Sequence, residues 1–149
     1  MRSEYVVEYY NMWFLNQLYY IEMELCCDNL RNILQLKPQV FGRQSTESMS
    51  SLEYFISGHI FKELLECVQY IHELKPSVIH RDLKPDNILI ASNVKNGRFL
   101  KIGDWGLATL HEGSGALHSG CVGTNKYMAP EVKFDKKYAK HIKLKLVSN

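Results

Sequence analysis

Val78-Ile79-His80-Arg81-Asp82-Leu83-Lys84-Pro85-Asp86-Asn87-Ile88-Leu89-Ile90 sets a polar loop between two short apolar runs, Val78-Ile79 and Ile88-Leu89-Ile90. Runs of this composition read as buried strands. A loop fixed at both ends by packed strands can hold an acid, a base and an amide in one geometry, which is what positional catalysis requires. Two further polar motifs follow it, Asp104-Trp105-Gly106 and Ala129-Pro130-Glu131.

The 149 residues suffice for one domain with a sizeable core. Apolar content of 46% and charged content of 23% are ordinary for a globular protein and make disorder the wrong default. A formal net charge of +2 gives no basis for nucleic-acid or membrane-surface binding. The lysines near the end, from Lys133 to Lys145, read as a solvated face or tail. Cys26, Cys27, Cys67 and Cys121 lack metal-ligand spacing and are too scattered for a disulfide framework, so a reducing, intracellular, cytoplasmic setting fits them. The start carries no stretch of signal-peptide kind, and no run approaches the ~18 apolar residues of a membrane span.

Taken in order, Tyr5-Val6-Val7-Glu8-Tyr9-Tyr10 and residues 18–25 read as two strands, with Leu15-Asn16-Gln17 as the break. Alternation of Ile21, Met23 and Leu25 against Glu22 and Glu24 predicts one buried face. Asp28-Asn29 followed by Leu30, Ile33 and Leu34 predicts a short helix, and residues 35–49 a polar connecting loop. Ser50 and Glu53 form a candidate capping box for a long amphipathic helix through Ile56, Ile60, Leu64, Val68 and Ile71, widened by Phe61 and Leu65. Cys67 is read as part of its core face. Beyond the loop, Ile88-Leu89-Ile90, a polar turn over residues 91–98 and Phe99-Leu100-Lys101-Ile102 predict a hairpin ending at Asp104. His111 and His118 read as loop residues, without partner ligands at useful spacing.

His80-Arg81-Asp82-Leu83 with Asn87, then Asp104-Trp105-Gly106 and Ala129-Pro130-Glu131, in that order, resembles the motif set of protein kinases. The match spans about residues 5–140. It implies an α+β, partial protein-kinase-like fold: small-lobe strands and hinge at about 5–26, the first half of a mainly helical large lobe at 27–141, and a divergent tail at 142–149. It implies ATP and Mg²⁺ as cofactors. Asp82 would accept or orient the proton of the attacking hydroxyl, Lys84 would stand near the transferring phosphoryl group, and Asn87 and Asp104 would be oxygen ligands of Mg²⁺. Thr124 would brace Asp82 and Lys84. Met23 would be the gatekeeper, the Glu24 carbonyl and Cys26 amide would face the purine, and Leu89 would form its floor. Arg81 would pair with a phosphorylated activation segment, residues 104–131, with Ser119 as first acceptor and Thr109 or Ser114 as alternatives.

Lys84 followed by Pro85 and Asn87, together with Thr124, resembles serine/threonine kinases, so the implied partner is a protein substrate. Tyr9-Tyr10-Asn11-Met12-Trp13-Phe14, Tyr20-Ile21-Glu22-Met23-Glu24-Leu25-Cys26 and His118-Ser119-Gly120-Cys121-Val122-Gly123-Thr124-Asn125-Lys126-Tyr127-Met128 are similar to kinases of the alpha subunit of eukaryotic translation initiation factor two. That subfamily implies translation regulation and a homodimer in the complete protein. Kinases of the Wee type share some of the first stretch, and a pseudokinase or kinase-like interaction fragment is the rival from another class. Trp105 replaces the family's Phe. No Gly-rich phosphate loop, Ala-x-Lys strand or partnering Glu helix precedes Tyr5, and the central large-lobe helix does not follow His141. The chain is therefore expected to be the middle of a kinase domain, cut at both ends by an incomplete or misjoined gene model or transcript. As a 149-residue polypeptide it is expected to be inactive and poorly folded.

Overall fold

A computed structural model describes residues 4–44, 46–111, 118–119, 121–134 and 137–138. The aromatic, β-branched N-terminal stretch forms an antiparallel hairpin of β1 (Tyr9–Leu15) and β2 (Leu18–Met23). Its turn residues Asn16 and Gln17 both have positive φ. Cross-strand ring pairs hold it: Trp13 stacks on Tyr20 at 5.6 Å, and Phe14 meets Tyr19 at 4.8 Å.

Two expectations are corrected here. The first strand runs from Tyr9, not over Tyr5–Tyr10, because Tyr5, Val6 and Val7 are drawn to a different sheet. Val7 N–H donates to the Ile102 carbonyl and Ile102 N–H to the Tyr5 carbonyl, each at 3.0 Å, and Val7 is buried. The expected buried face of the second strand is also not realised. Every residue of β1 and β2 is exposed among the described residues, since nothing in them covers either face of the hairpin.

A three-stranded antiparallel sheet, ordered β3-β5-β6, forms the frame of the site. β3 is Cys26–Asn29, β5 is Ile88–Lys95 and β6 is Arg98–Ile102. The β5/β6 hairpin is longer than expected. Its turn contracts to Asn96-Gly97, with φ of 53° and 73°, the left-handed pair that a two-residue hairpin turn demands.

The helix after β3, α1 (Leu30–Val40), is capped by the Asn29 side chain, which accepts from Asn32 N–H at 3.1 Å. It passes through Pro38 and ends at Phe41, well beyond the expected loop start. Tertiary ion pairing overrides the local signal. Lys37 Nζ reaches the Glu53 carboxylate at 3.2 Å, and Arg43 grips the same group at 2.7 and 2.5 Å.

α2 (Ser51–Glu73) starts at the expected cap, where Ser50 Oγ accepts from Glu53 N–H at 3.2 Å. Only half of the capping box forms. The Glu53 carboxylate is fully buried and turned to Arg43 and Lys37. Leu64, Cys67, Val68 and Ile71 in the C-terminal half of α2 pack with Leu30, Ile88, Leu100 and Ile102 into one core. Ile56, Phe61 and Leu65, expected on the same stripe, are exposed. Polar clamps register helix on sheet: Glu63 accepts the N–H groups of Phe99 and Leu100 at 3.1 and 2.9 Å, and Arg98 pairs with Glu66. The Arg98 guanidinium also lies 4.4 Å over the Tyr5 ring.

β4 (Ser77–Ile79) pairs antiparallel with β7 (Thr109–His111). β8 (His118–Ser119), α3 (Pro130–Phe134) and β9 (Lys137–Tyr138) complete the described elements. The tail at 142–149 and Ser114 lie outside the described residues.

The Arg43 guanidinium, and then Lys37, hold the Glu53 carboxyl at about 2, against an ordinary value of 4.5. A lowered folded-state pKa gives stability that is present above the ordinary value and lost as pH falls toward the folded one. Glu53→Gln is expected to lower Tm at neutral pH, with the gap to the unmodified protein closing between pH 4.5 and about 2 in thermal unfolding followed by circular dichroism. Arg43→Ala is expected to lower Tm more than Lys62→Ala, whose partner Glu66 lies 3.8 Å away at the surface.

Candidate active site

Ile79 and Ile88, both essentially solvent-free, anchor the two ends of the polar loop. Between them the loop closes with a short 3₁₀ turn, Pro85–Asn87, in which Asn87 N–H donates to the Lys84 carbonyl at 2.9 Å. Arg81 is held at φ 66°, a conformation that non-glycine residues adopt at a cost and that concentrates at functional sites. This backbone reversal lets His80 face the interior while the Arg81 side chain turns to Leu107.

His80 is buried and its imidazole makes two different bonds. Nε2 lies 2.8 Å from the Gly103 carbonyl, and Nδ1 accepts from the Asp82 N–H at 3.3 Å. One nitrogen must donate and the other accept, so the pair of bonds requires the neutral ring protonated on Nε2. Burial pushes the His80 pKa down, against the bond to Gly103, and supports that form. The Trp105 ring meets this imidazole edge-on at 4.9 Å, so the Trp in place of Phe packs behind the loop.

The Asp82 carboxylate is enclosed by donors from three directions. Oδ1 accepts from Thr124 N–H at 2.7 Å and Thr124 Oγ1 at 2.6 Å. Oδ2 accepts from Lys84 Nζ at 2.8 Å and Asn87 Nδ2 at 3.3 Å. Asn87 Nδ2 also donates to the Asp82 carbonyl at 2.9 Å, and Lys84 Nζ to Thr124 Oγ1 at 3.2 Å. Burial raises the cost of charge on Asp82, but the Lys84 and Thr124 bonds outweigh it and hold the pKa below the usual carboxylate value. The same contact raises the Lys84 pKa. Asp82 therefore remains an anion and Lys84 a cation at neutral pH.

Asn87 directs its amide nitrogen to Asp82, which leaves Oδ1 as the other end of the amide. Asp104 is exposed, held at φ 57°, and its Oδ1 accepts from Gly106 N–H at 3.3 Å. Gly103 N–H donates to the Asn87 carbonyl at 2.9 Å, which sets the strand end carrying Asp104 beside the loop carrying Asn87. No group of three or more His, Cys, Asp or Glu side chains forms a closed metal site among the described residues. An amide oxygen and one carboxylate are instead the sparse donor set that suits Mg²⁺, which completes its shell with water and phosphate oxygens.

Met23 closes β2 and is half exposed, Glu24 lies between sheets, and Cys26 opens β3. The Glu24 side chain turns inward to Lys101 Nζ at 2.5 Å and also accepts from Glu8 N–H. Burial works against the Glu24 charge and Lys101 prevails, so its pKa falls; burial raises that of Cys26. Leu89 is half-buried opposite Lys101, its side chain lying on Gly103 beside Val7. Arg81 Nε donates to the Leu107 carbonyl at 2.6 Å, so the arginine already touches the segment it was expected to order. Thr109 sits in β7 opposite Ile79, and Ser119 in β8.

Sequence reasoning missed three supports. Lys101 ties the strand before Asp104 to Glu24; a lysine within the apolar run Phe99-Leu100-Lys101-Ile102 was the available signal. Arg31 on α1 binds Asp86 through both carboxylate oxygens. Gly123 has φ 116°, and a Cβ there would strike the Arg81 carbonyl, so only glycine brings Thr124 this close to Asp82.

With this geometry in place, comparison with known proteins gives a consistent result. The protein kinase domain family profile matches residues 1–144, and the chain belongs to that family. It is 33% identical over 137 residues to the probable serine/threonine-protein kinase zyg-1 of Caenorhabditis elegans, covering 92% of this chain and 17% of that protein. It is also similar to a chain in the crystal structure of the yeast RNA Pol II CTD kinase CTDK-1 complex, with TM-score 0.64 and 27% identity, covering 89% of this chain and 38% of that one. The chain thus spans well under half the length of these relatives.

Removal of the Thr124 hydroxyl in Thr124→Val is expected to raise the Asp82 pKa, and Gly123→Ala to raise it by displacing the whole residue. Carbon-detected NMR titration of the Asp82 carboxyl checks both.

Proposed function

We propose that this chain carries the catalytic loop, metal-binding tripeptide and activation segment of an ATP-dependent protein serine/threonine kinase. The observation that carries the reading is the Asp82 carboxylate held by Lys84, Asn87 and both donors of Thr124. Phosphoryl transfer asks the protein for position and charge more than for covalent chemistry. An ionised Asp82, fixed on both oxygens, can orient a substrate hydroxyl and take up its proton as the hydroxyl oxygen bonds to the γ-phosphorus of ATP and the bond from that phosphorus to the ADP oxygen breaks. Lys84 brings its ammonium to the same place and offsets negative charge on the phosphoryl oxygens.

Asn87 Oδ1 and the Asp104 carboxylate are the residues that would hold Mg²⁺, which would supply positive charge to offset the negative charge of the ATP phosphates. Met23, the Glu24 carbonyl, the Cys26 amide and Leu89 would receive the purine. Thr109 and Ser119 are the candidate phosphoacceptors within the chain, and the contact of Arg81 with Leu107 supports a role for Arg81 in ordering that segment.

Serine and threonine are the proposed acceptors because Lys84 and Thr124 act together on Asp82. The alpha subunit of translation initiation factor two is the substrate to assay first, in a protein that works as a homodimer. This rests on the sequence similarities at residues 9–14, 20–26 and 118–128; the relatives named above are kinases of other kinds, and a peptide from the polymerase C-terminal domain belongs in the same assay. Nucleotide-dependent thermal stabilisation without transfer would instead identify a pseudokinase.

In the complete protein, Asp82→Asn is expected to lower kcat for peptide phosphorylation by roughly a hundredfold to ten-thousandfold, the range for loss of a positioned acid or base. Its Kd for Mg²⁺-ATP should stay within about threefold of the unmodified value, a change under ~0.7 kcal/mol. Steady-state kinetics with calorimetric nucleotide binding checks both numbers.

A further inference from the structure

Arg31 reaches from the first turn of α1 to the catalytic loop. Its Nε and Nη2 donate to the two oxygens of Asp86, the Nη2 bond at 2.6 Å, and Nη2 also donates to the Tyr127 hydroxyl at 3.2 Å. Three separate segments meet in this contact: α1, the turn Pro85–Asn87 and the stretch just before α3. Asp86 follows Lys84 by two residues, and its negative charge acts on the Lys84 ammonium. It is thus a carboxylate at the rim of the place where a substrate hydroxyl would meet Asp82. Both of its oxygens are taken by an arginine of the same chain.

The pair is not a core element. Arg31 and Asp86 side chains are 38% and 39% exposed, so water and a bound peptide can reach them, and ion pairs so placed contribute little to folding. What such a pair changes is the charge offered to a ligand. A bare carboxylate at this rim would attract a guanidinium or ammonium on the substrate through a charge-assisted bond. With Arg31 seated on it, that attraction is satisfied internally.

Resting on the kinase reading above, we infer that Arg31 is a specificity-determining residue: it occupies Asp86 beside the acceptor site and turns the protein away from peptides with arginine or lysine next to the acceptor hydroxyl. Tyr127, which shares the same guanidinium, links this selection to the segment that carries Thr124.

Two variants that break the same ion pair separate this role from a structural one. Arg31→Ala leaves Asp86 bare, whereas Asp86→Asn leaves no carboxylate. Two fluorescent peptides, identical except for arginine or alanine beside the acceptor serine, are titrated by anisotropy, and kcat/KM is measured for both. Arg31→Ala is expected to favour the arginine peptide by roughly threefold or more relative to the unmodified protein, the scale of an exposed ion pair. The gain should shrink at about 0.5 M salt, where exposed charges are screened. Asp86→Asn should show no gain. An unchanged preference in Arg31→Ala, or an equal shift in both variants, overturns the inference. Circular dichroism verifies folding, and Arg31→Gln replaces Arg31→Ala if the latter unfolds. Peptide binding does not depend on phosphate transfer: absence of transfer with the binding shift intact overturns the kinase reading and leaves the assignment of Arg31 standing.

Discussion

A buried imidazole with one donor and one acceptor holds this site together. His80 joins the Asp82 backbone to the Gly103 carbonyl, and Gly103 in turn bonds Asn87 through its own N–H. Asp82 and Asn87 of the loop and Asp104, just beyond β6, thereby share one small framework. The constraint is chemical as well as steric. A protonated His80 would present a second N–H to the Asp82 N–H, so the framework requires the neutral ring that burial favours. Trp105 closes the remaining side of the imidazole with its edge.

From this pin the order spreads outward in layers. Asp82 draws in Lys84 and Thr124, and Gly123 makes the approach of Thr124 sterically feasible. Lys101 and Glu24 connect the strand before Asp104 to the end of the N-terminal hairpin. Arg31 and Asp86 then connect the loop to α1 at the surface. The core behind these contacts is supplied by α2 and the β5/β6 hairpin, while the aromatic hairpin of β1 and β2 stays uncovered among the described residues. Positional catalysis needs rigidity at the first of these layers and tolerates looseness at the last.

The loop was legible because polar residues stood between two apolar runs that read as short buried strands. The partners of Asp82 followed from motif order, and the structure brings Lys84, Asn87 and Thr124 onto it. Other features depended on contacts distant in sequence. Residues 35–40 look like a loop locally, yet Lys37 and Arg43 converge on buried Glu53 and prolong the helix. Val6 and Val7 look like the start of a hairpin strand, yet they join β6 instead. Asn96-Gly97 was a local signal for the tight turn and carried more weight than the polar composition around it. The positive φ at Arg81 has no signature in residue type, because a side chain without special tolerance for that region is forced there by the framework, whereas Asp104 is of a type that tolerates it.

The most direct test is phosphoamino acid analysis after incubating the complete protein that carries these residues with labelled Mg²⁺-ATP and a mixture of serine-, threonine- and tyrosine-containing peptides. Label on serine or threonine, lost in Asp82→Asn, is the predicted result. Folded, nucleotide-binding protein that leaves all peptides unlabelled, or labels tyrosine alone, would contradict the assignment of Asp82, Lys84 and Thr124 to serine/threonine phosphorylation.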